Sequence, residues 1–467
     1  MRRYYDLIPS QLNMYMLVKF SFHKEIVQIP ASFSVDKDID FDLLTKALNV
    51  EIKRNDSLRL RFRKKKDLDP KAANLEQYFL GEDEVRIDSV PTLKFTSAEE
   101  QDEYFSKDAV TPVHFLKGEI FRIVFFETAA GKKGVYLNCS HLAIDAMGML
   151  VFFVDLLGVY KALKNGDEMP APLFSYEEYV QKELEKANDP KRLAKGQAFY
   201  QEYFAKGGEP FYAGVHGPEL LEKERKKKKN PNLRVTDAAY APFNDRAEVL
   251  SYSIGKEDSK KILDFCVANN TAPETLFTFA MRTYCSAINY RTEDVFFNLM
   301  CSKRITYKDM RTGGCMAQTL QVRTIIPETD TFMQGLNEIF RVRTQLYRYL
   351  SFPFIYARGM LMKMYGHSTT QGVASFMFSW LPIPLDRLQG LDFEFKTYNL
   401  GRYFNPLYAI CYPDPQTMGI RMHYMYRVKV VTPEQVKALH DNMVKIVLAG
   451  IENPDTPISD LLDGVKR

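Results

Sequence analysis

One histidine in the sequence stands in a setting that suits acid–base chemistry. His141 follows an alternating apolar run, Val135 to Cys139, and precedes Asp145 by four positions. The alternation predicts a strand that ends at the histidine, and the apolar stretch from Met147 onward predicts a buried helix. Imidazole has an ordinary pKa of about 6.5, so it can accept a proton near neutral pH. We therefore expect His141 to be a general base, with Asp145 either orienting it or serving the scaffold.

The alternative interpretation of the same segment is that the histidine is only structural, because an H-x-x-x-D pattern is short and arises readily by chance. Cys139 is the other chemically reactive side chain nearby. It lies in an apolar strand with no evident base other than His141, so we expect a small core residue and not a nucleophile.

Several standard sites are missing from the sequence. It contains no G-x-x-x-x-G-K-[ST], no G-x-G-x-x-G, no G-x-S-x-G and no H-E-x-x-H. The six cysteines form no C-x-x-C pair, which speaks against a structural zinc site and against a disulfide framework. We expect no metal and no tightly bound cofactor.

Composition indicates an ordinary globular protein. The chain has 467 residues, 46% of them hydrophobic and 26% charged, enough for two or three domains. Its net charge of +4 is too small to predict nucleic acid as the partner. No signal peptide is evident, and the longest apolar stretch, residues 147–160, is shorter than the ~20 residues that span a bilayer. These features predict a soluble cytoplasmic protein without a membrane span.

Hydrophobic periodicity predicts strands and helices in both halves of the chain, a mixed α/β fold. Residues 26–35 read as a strand whose Pro30 favours a sheet edge or a bulge. Residues 121–127 and 135–141 read as a hairpin, followed by a helix over 147–164. We expect an N-terminal lobe at 1–175, a charged connection of helix and loop at 176–245, and a C-terminal lobe at 246–467. The lysine run at 223–229 is expected to be a solvated loop, the alternative being a patch that attracts phosphate.

The motif around His141 resembles that of the condensation-domain and chloramphenicol acetyltransferase-like acyltransferases, whose hallmark is H-x-x-x-D-G. The resemblance extends over nearly the whole chain, because other segments in the same order are also similar to the family. These are Tyr5–Gln11, Arg54–Phe62, Phe121–Val124, Gly314–Arg323, with Gln318 where the family has asparagine, and Pro454–Leu461.

The resemblance implies two lobes of similar fold in a V, with a tunnel between them and His141 at its middle. An acyl thioester of coenzyme A or of a carrier-protein phosphopantetheine would enter one side, and a small alcohol or amine the other. Asp145 would turn away from His141 and pair with an arginine, which the L-R-x-x-F match assigns to Arg59. Ser379 is the candidate for contacting the oxyanion or the substrate; its alternative role is a strand serine bonded to a neighbour.

The sequence departs from the family motif at two positions. Ser140 replaces a histidine that often precedes the catalytic one, and Ala146 replaces the glycine after the aspartate. A methyl group at Ala146 could narrow the tunnel or restrict the turn, and Gly148 is expected to supply some of the missing backbone freedom. Ser140, Ala146 and Gly148 are the candidates for lining the tunnel.

The function predicted from the resemblance is acyl transfer from a pantetheine thioester to an alcohol or amine, by a free-standing monomer with His141 as base. Two alternatives stay open. One is a stand-alone condensation domain that forms an amide in nonribosomal peptide synthesis. The other is a catalytically inactive, condensation-like recruitment module, in which alanine in place of glycine at Ala146 would reflect the loss of activity.

Overall fold

The computed structural model describes residues 2–35, 38–65, 75–237, 244–382, 393–414 and 416–466. Its strands are β1 Tyr5–Asp6, β2 Gln28–Val35, β3 Leu60–Lys64, β4 Leu75–Phe79, β5 Thr92–Lys94, β6 Phe121–Glu127, β7 Lys133–Ser140, β8 Ala247–Ile254, β9 Asp294–Ser302, β10 Ala317–Ile325, β11 Met377–Trp380, β12 Phe393–Thr397, β13 Leu407–Asp414 and β14 Gly419–Arg427. Its α-helices are α1 Pro9–Phe20, α2 Phe41–Arg54, α3 Ala98–Ala109, α4 Ala146–Asn165, α5 Tyr176–Asn188, α6 Pro190–Ala205, α7 Glu219–Lys228, α8 Lys256–Ala268, α9 Pro273–Ile288, α10 Tyr307–Met310, α11 Phe332–Tyr347, α12 Phe354–Tyr365, α13 Pro433–Glu452 and α14 Ile458–Asp463. The predicted mixture of helices and strands in both halves is confirmed.

The chain forms two compact units, each assembled from three stretches. The first unit comprises Met1–Leu193, Ser302–Gln318 and Pro384–Leu400, and the second comprises the remainder. Two stretches from the second half of the sequence therefore belong to the first unit. The predicted connection at 176–245 is divided between the units at residue 193, and its residues 238–243 lie outside the described part of the chain.

A five-stranded sheet in the order β12-β2-β7-β6-β5 forms the centre of the first unit, beside a three-stranded sheet β1-β4-β3. The expectation that Pro30 marks a sheet edge is wrong, because β2 lies between β12 and β7. The pairing of β2 with β12 extends from Val35 to Ala31, the residue that follows the proline in the sequence. The Pro30 carbonyl accepts the Tyr398 N–H and so closes this ladder, but the proline has no N–H with which to return the bond, and the pairing ends there.

The predicted hairpin and the helix after it are confirmed. β6 and β7 pair antiparallel, and β7 pairs on its other side with β2, so both edges of β7 are hydrogen-bonded. α4 follows and is capped at its C-terminus by Gly166, whose φ of 75° is typical of such a position. α4 is also the described helix that is long and apolar enough to cross a bilayer, and 61% of its apolar window is buried in the protein, as in a core helix.

The second unit is built on a six-stranded mixed sheet in the order β10-β9-β11-β13-β14-β8. β11 pairs in parallel with both β9 and β13, while β13, β14 and β8 form an antiparallel meander. α9 is almost entirely buried and packs against α11, α13 and α14. The final helix α13 begins with the predicted capping box, in which Thr432 and Gln435 bond each other's backbone N–H groups.

The lysine run is helical and not a loop. It forms the last turns of α7, and Lys229, the cap residue after the helix, is in the left-handed region, with φ of 51°. Lys, Arg and Glu are good helix formers, and Lys228 pairs with Glu224 and Asp237, so the local charge does not prevent a helix.

Candidate active site

The candidate base lies immediately after strand β7. Residues 133–140 pair with β2 and β6, and the His141 N–H donates to the Val27 carbonyl at 2.8 Å. This bond fixes the backbone of His141 at the end of the strand, while its side chain remains partly exposed. The turn that follows is held by the Ser140 carbonyl, which accepts bonds from the N–H groups of Ala143 and Ile144.

The imidazole of His141 lies in a largely apolar setting. Its Nδ1 is 3.9 Å from the Cys315 Sγ, and no described group bonds its Nε2. Burial lowers the pKa of His141; the negative charge of Asp145 and nearby carbonyls oppose this effect without cancelling it. The ring is therefore neutral near pH 7, with Nε2 available to accept a proton. Burial also raises the pKa of Cys315, so its thiol stays protonated.

Asp145 holds the backbone around the site and does not form a hydrogen bond with His141. Its Oδ1 accepts the Gly148 N–H at 2.7 Å, which caps the N-terminus of α4. Its Oδ2 accepts a bond from the Arg304 Nη1 and another from the Met316 N–H, both at 2.7 Å. The carboxylate thus joins one helix to a loop that is distant in sequence.

The arginine that pairs with Asp145 is Arg304, which corrects the assignment to Arg59. Both side chains of the Asp145–Arg304 pair are 3% exposed. Burial by itself would raise the pKa of Asp145, but the Arg304 charge and the hydrogen bonds outweigh it and hold the pKa below its ordinary value. Arg59 instead donates to the backbone carbonyls of Ile52, Lys53 and Leu80, so it stabilises the segment that follows α2.

The loop that carries Arg304 approaches α4 closely. A Cβ built on Gly148 would lie 2.7 Å from the Gly314 carbonyl oxygen and 2.8 Å from the Ile144 side chain. Gly314 has φ of +84°, and a Cβ there would overlap the Tyr176 ring. Gly148 lies inside α4 without a positive φ, so its expected role as a source of backbone freedom is wrong. It supplies the space in which the loop packs.

The other two candidates from the motif flank the histidine and the aspartate. Ser140 is buried, and within the described residues its hydroxyl has no hydrogen-bond partner. Ala146 is the first residue of α4 and is partly exposed, a position where alanine is well suited to the helix. Their roles in lining a substrate path stay a prediction.

Ser379 belongs to the second unit, on β11. It is 2% exposed, and its hydroxyl lies 2.9 Å from the hydroxyl of Tyr408 on the neighbouring strand β13. The structure thus shows a strand serine that is bonded to a neighbour. Its assignment to an oxyanion stays a prediction.

A second buried ion pair supports the same loop. Lys303, the neighbour of Arg304, bonds Glu183 of α5, and the two side chains are 6% and 3% exposed. The sequence analysis missed both basic residues. The available signal was their position shortly after the apolar strand predicted at 295–300, where two consecutive charges must either reach solvent or find buried partners.

No group of three or more His, Cys, Asp or Glu side chains that could hold a metal ion is found among the described residues. The described part of the site consists of the neutral imidazole of His141, the buried thiol of Cys315 and the carboxylate of Asp145. This carboxylate caps α4 and is ion-paired. This arrangement can accept a proton from a bound nucleophile, and its carboxylate is fully engaged in holding the backbone.

Comparison with family models matches residues 1–463 to the family described as Condensation domain. Condensation domains form amide bonds by moving an acyl group onto an amine, which makes the class of protein an acyltransferase-type enzyme. Because the match covers nearly the whole chain, the protein belongs to the condensation-domain family. The resemblance seen in the sequence is confirmed.

The curated relatives are large synthases. The chain is 21% identical over 463 residues to surfactin synthase subunit 1 of Bacillus subtilis (strain 168), covering 98% of this chain and 12% of that protein. It is 20% identical over 461 residues to one of the plipastatin synthase subunits of the same organism, covering 98% of this chain and 17% of that protein. The chain therefore spans less than a fifth of these relatives' length.

Solved condensation domains share the fold. A variant of the starter condensation domain of rhizomide synthetase RzmA in complex with C8-CoA gives a TM-score of 0.76 at 17% identity, covering 98% of this chain and 96% of that one. A second variant of that domain, in complex with C8-CoA and Leu-SNAC, gives 0.78 at 16% identity, with 97% and 96% covered. The condensation domain of the Monacolin K polyketide synthase MokA gives 0.78 at 14% identity, with 98% and 99% covered.

Proposed function

We propose that the protein transfers an acyl group from a pantetheine thioester to an acceptor amine or alcohol, with His141 as the general base. The observation that carries the proposal is the neutral, partly exposed imidazole at the end of β7, whose Nε2 is bonded by no described group. The reaction class is that of the family, whose members form amide bonds.

The chemistry requires one proton to move. The acceptor nitrogen or oxygen attacks the thioester carbonyl, and the His141 Nε2 takes the proton that the nucleophile loses. The tetrahedral intermediate then collapses, the C–S bond breaks, and the sulfur leaves with the proton that the imidazolium returns. The products are an amide or ester and a free thiol, so the imidazole ends in its starting state.

Asp145 contributes by fixing the backbone around the base. Its carboxylate binds the N-terminus of α4 and the Met316 N–H, on the loop that also carries Cys315 beside the imidazole. The distance between the turn at His141 and this loop therefore depends on the Asp145–Arg304 pair. We assign Asp145 and Arg304 as positioning residues.

The comparisons favour a thioester donor and an amine acceptor within this proposal. Relatives of the same fold carry C8-CoA and Leu-SNAC in their structures, and curated relatives are synthases of surfactin and plipastatin. By analogy, coenzyme A or a carrier protein would present the donor here, and an amino acid derivative would be a suitable acceptor. Nonribosomal peptide synthesis is the corresponding setting.

We also propose that the protein is a monomer and that it is located in the cytoplasm. All six cysteines are buried and none forms a disulfide, which suits a reducing compartment. Sedimentation of the purified protein at two concentrations tests the monomer.

The substrate test is a panel of acyl-coenzyme A and acyl-N-acetylcysteamine thioesters of increasing chain length, each with pooled amino acid thioesters or pooled alcohols. Thiol release and product mass are measured together. We expect thiol release that rises with one acceptor class and a product mass equal to acyl group plus acceptor. Absence of product with coenzyme A, N-acetylcysteamine and carrier-bound donors alike would contradict the proposal and favour a recruitment module.

A further inference from the structure

Two carboxyl groups that the proposed chemistry does not use meet inside the first unit. Glu51 lies on α2 and is fully buried, and Asp155 lies on α4 and is 5% exposed. The two helices pack against each other, and the two carboxyl groups are in hydrogen-bond contact. An ionised carboxylate only accepts hydrogen bonds, so two ionised groups in this arrangement would repel each other. One of the two must therefore carry a proton.

The basic residue beside the two carboxyl groups binds Asp155. The Arg54 Nε donates to the Asp155 Oδ2 at 2.7 Å, and the Arg54 Nη2 donates to the Asp155 Oδ1 at 3.0 Å. Such a two-point bond between a guanidinium and a carboxylate is strong and specific to the ionised acid. The remaining bonds of the Arg54 Nη2 go to the backbone carbonyls of Pro170 and Ala171. The ionised member of the pair is therefore Asp155.

Glu51 lacks a positively charged partner of its own. Its Oε1 accepts a bond from the Asn55 Nδ2 at 3.1 Å, and no described residue donates to its Oε2. Burial, followed by the hydrogen bond and the negative charge of Asp155, raises the pKa of Glu51 well above its ordinary value; Asn55 and Arg54 oppose this effect more weakly. With a proton on Glu51, the group formed with Asp155 and Arg54 carries no net charge.

The charged residues that follow α2 are bonded elsewhere. Asp56 accepts bonds from the first N–H groups of α5, and Arg59 donates to backbone carbonyls. Among the described residues, the charges that face Glu51 are therefore Asp155 from α4 and Arg54 from α2 itself.

We infer that Glu51 is a neutral carboxylic acid in the folded protein and donates a hydrogen bond to the ionised Asp155, so that the contact between α2 and α4 loses stability as the pH rises. When Glu51 loses its proton, the donor disappears and two buried carboxylates face each other. The contact continues toward the loop at 302–318, because a Cβ on Gly313 would lie 2.2 Å from the Oδ1 of Asn55. The inference concerns protonation and stability and does not depend on acyl transfer.

The direction of the pH effect follows from the pKa of Glu51 in the two states. In the unfolded chain this carboxyl ionises near its ordinary pKa of about 4.3, whereas the folded protein raises its pKa well above the ordinary value. The stability that the proton contributes is fully present below about pH 4.3 and is lost as the pH rises through the folded-state pKa.

The test is urea denaturation of the wild type and of Glu51→Gln at pH values from 5.5 to 8.5. Glutamine has the shape of the protonated acid and offers a donor and an acceptor, but it does not titrate. The unfolding equilibrium constant of the wild type, divided by that of the variant, should therefore increase about tenfold per pH unit until the folded acid itself ionises. Glu185→Gln, the same substitution at an exposed site on α5, is the control, and its ratio should not change with pH.

A ratio for Glu51→Gln that stays constant between pH 5.5 and 8.5 would overturn the inference, because Glu51 would then titrate alike in both states. The pH dependence requires only that the titrating group is removed, so Glu51→Met provides the same comparison if Glu51→Gln does not fold.

Infrared spectroscopy at pH 6 provides an independent measurement of the proton. The carbonyl stretch of a protonated carboxylic acid is separate from the bands of a carboxylate. This stretch should be present in the wild type and in Glu185→Gln and should be weaker in Glu51→Gln. Equal intensity in all three proteins would show that Glu51 is ionised and would contradict the inference.

Discussion

At the scale of single residues, the candidate site depends most on Asp145 and Arg304. Asp145→Ala would leave the Arg304 guanidinium buried without its counterion and would remove the cap of α4. We expect a loss of about 3–5 kcal/mol in the free energy of unfolding, measured by urea denaturation. Asp88→Ala, which removes an exposed partner of Arg86, should change it by less than about 0.5 kcal/mol. Equal stabilities of the two variants would contradict the structural role of the pair.

The pKa of His141 makes a prediction about pH. Burial lowers this pKa below the ordinary 6.5, and only the neutral imidazole can act as base. Calculated for the concentration of unprotonated acceptor, kcat/KM for acyl transfer should therefore decrease with falling pH along a limb centred below pH 6.5. A profile of kcat/KM between pH 4.5 and 8.5 measures this. After this correction for the acceptor, an acid limb centred above pH 6.5 would show that another group is the base.

The sequence predicted the position of the base but not its surroundings. His141 could be found because a strand, a histidine and a buried helix follow one another within a short stretch of chain. The partner of Asp145 could not, because Arg304 is 159 residues away and only the folded chain brings the two together. Arg59 was the wrong choice because its family motif locates an arginine without showing which group it bonds.

Among the elements, the close packing of α4 against the loop at 302–318 depends on glycine. In Gly148→Ala the new methyl group would overlap the Gly314 carbonyl oxygen, so we expect a destabilisation of about 1–3 kcal/mol. Gly359 offers a matched control: it lies within α12, and a Cβ there meets no atom within 4 Å.

The control should move in the opposite direction. Gly359→Ala should raise the free energy of unfolding by about 0.5–1 kcal/mol, since alanine is the better helix former. Guanidinium denaturation of both variants at pH 7.5 makes the comparison. Gly148→Ala as stable as Gly359→Ala would mean that the loop does not pack against the helix as described.

Elements with strong local signals were predicted well. The β6–β7 hairpin, α4 and the capping box of α13 follow from periodicity, glycines and cap residues. The errors occurred where tertiary pairing decides the outcome. Pro30 reads as an edge signal, yet it lies in an inner strand, at the end of the ladder that β2 forms with β12. The charge of the lysine run predicts a loop, but its helix propensity decides the structure.

At the scale of the whole molecule, buried neutral histidines predict sensitivity to acid. Burial lowers the pKa values of His216, His423 and His440 to about 4 each. Each folded pKa is below the unfolded value of about 6.5, so this stability is fully present above pH 6.5 and is lost as the pH falls toward 4. For His216, which is 5% exposed, the loss amounts to about 3 kcal/mol.

Urea denaturation between pH 7.5 and 4.5 tests this expectation. The free energy of unfolding should fall across that range, and it should fall less in His216→Phe, which removes one titrating group. The exposed His114, replaced by alanine, is the control and should follow the wild type. A His216→Phe variant with the same pH dependence as the wild type would contradict a buried neutral His216.

Which stretches of the chain make up each of the two units could not be predicted from the sequence. Mixed α/β structure in both halves followed from periodicity. The assignment of Ser302–Gln318 to the first unit depends on the buried pairs that Lys303 and Arg304 make there, contacts that no local pattern encodes.

The central claim is that His141 is the base in acyl transfer, and the most direct test is the rate of amide formation in His141→Gln. Product is measured by mass spectrometry under single-turnover conditions, with circular dichroism and the melting temperature showing that the variant is folded. His114→Ala serves as the matched control. The account predicts a rate about 10²–10⁴-fold lower in His141→Gln and an unchanged rate in His114→Ala. A folded His141→Gln variant that forms product as fast as the wild type would contradict it.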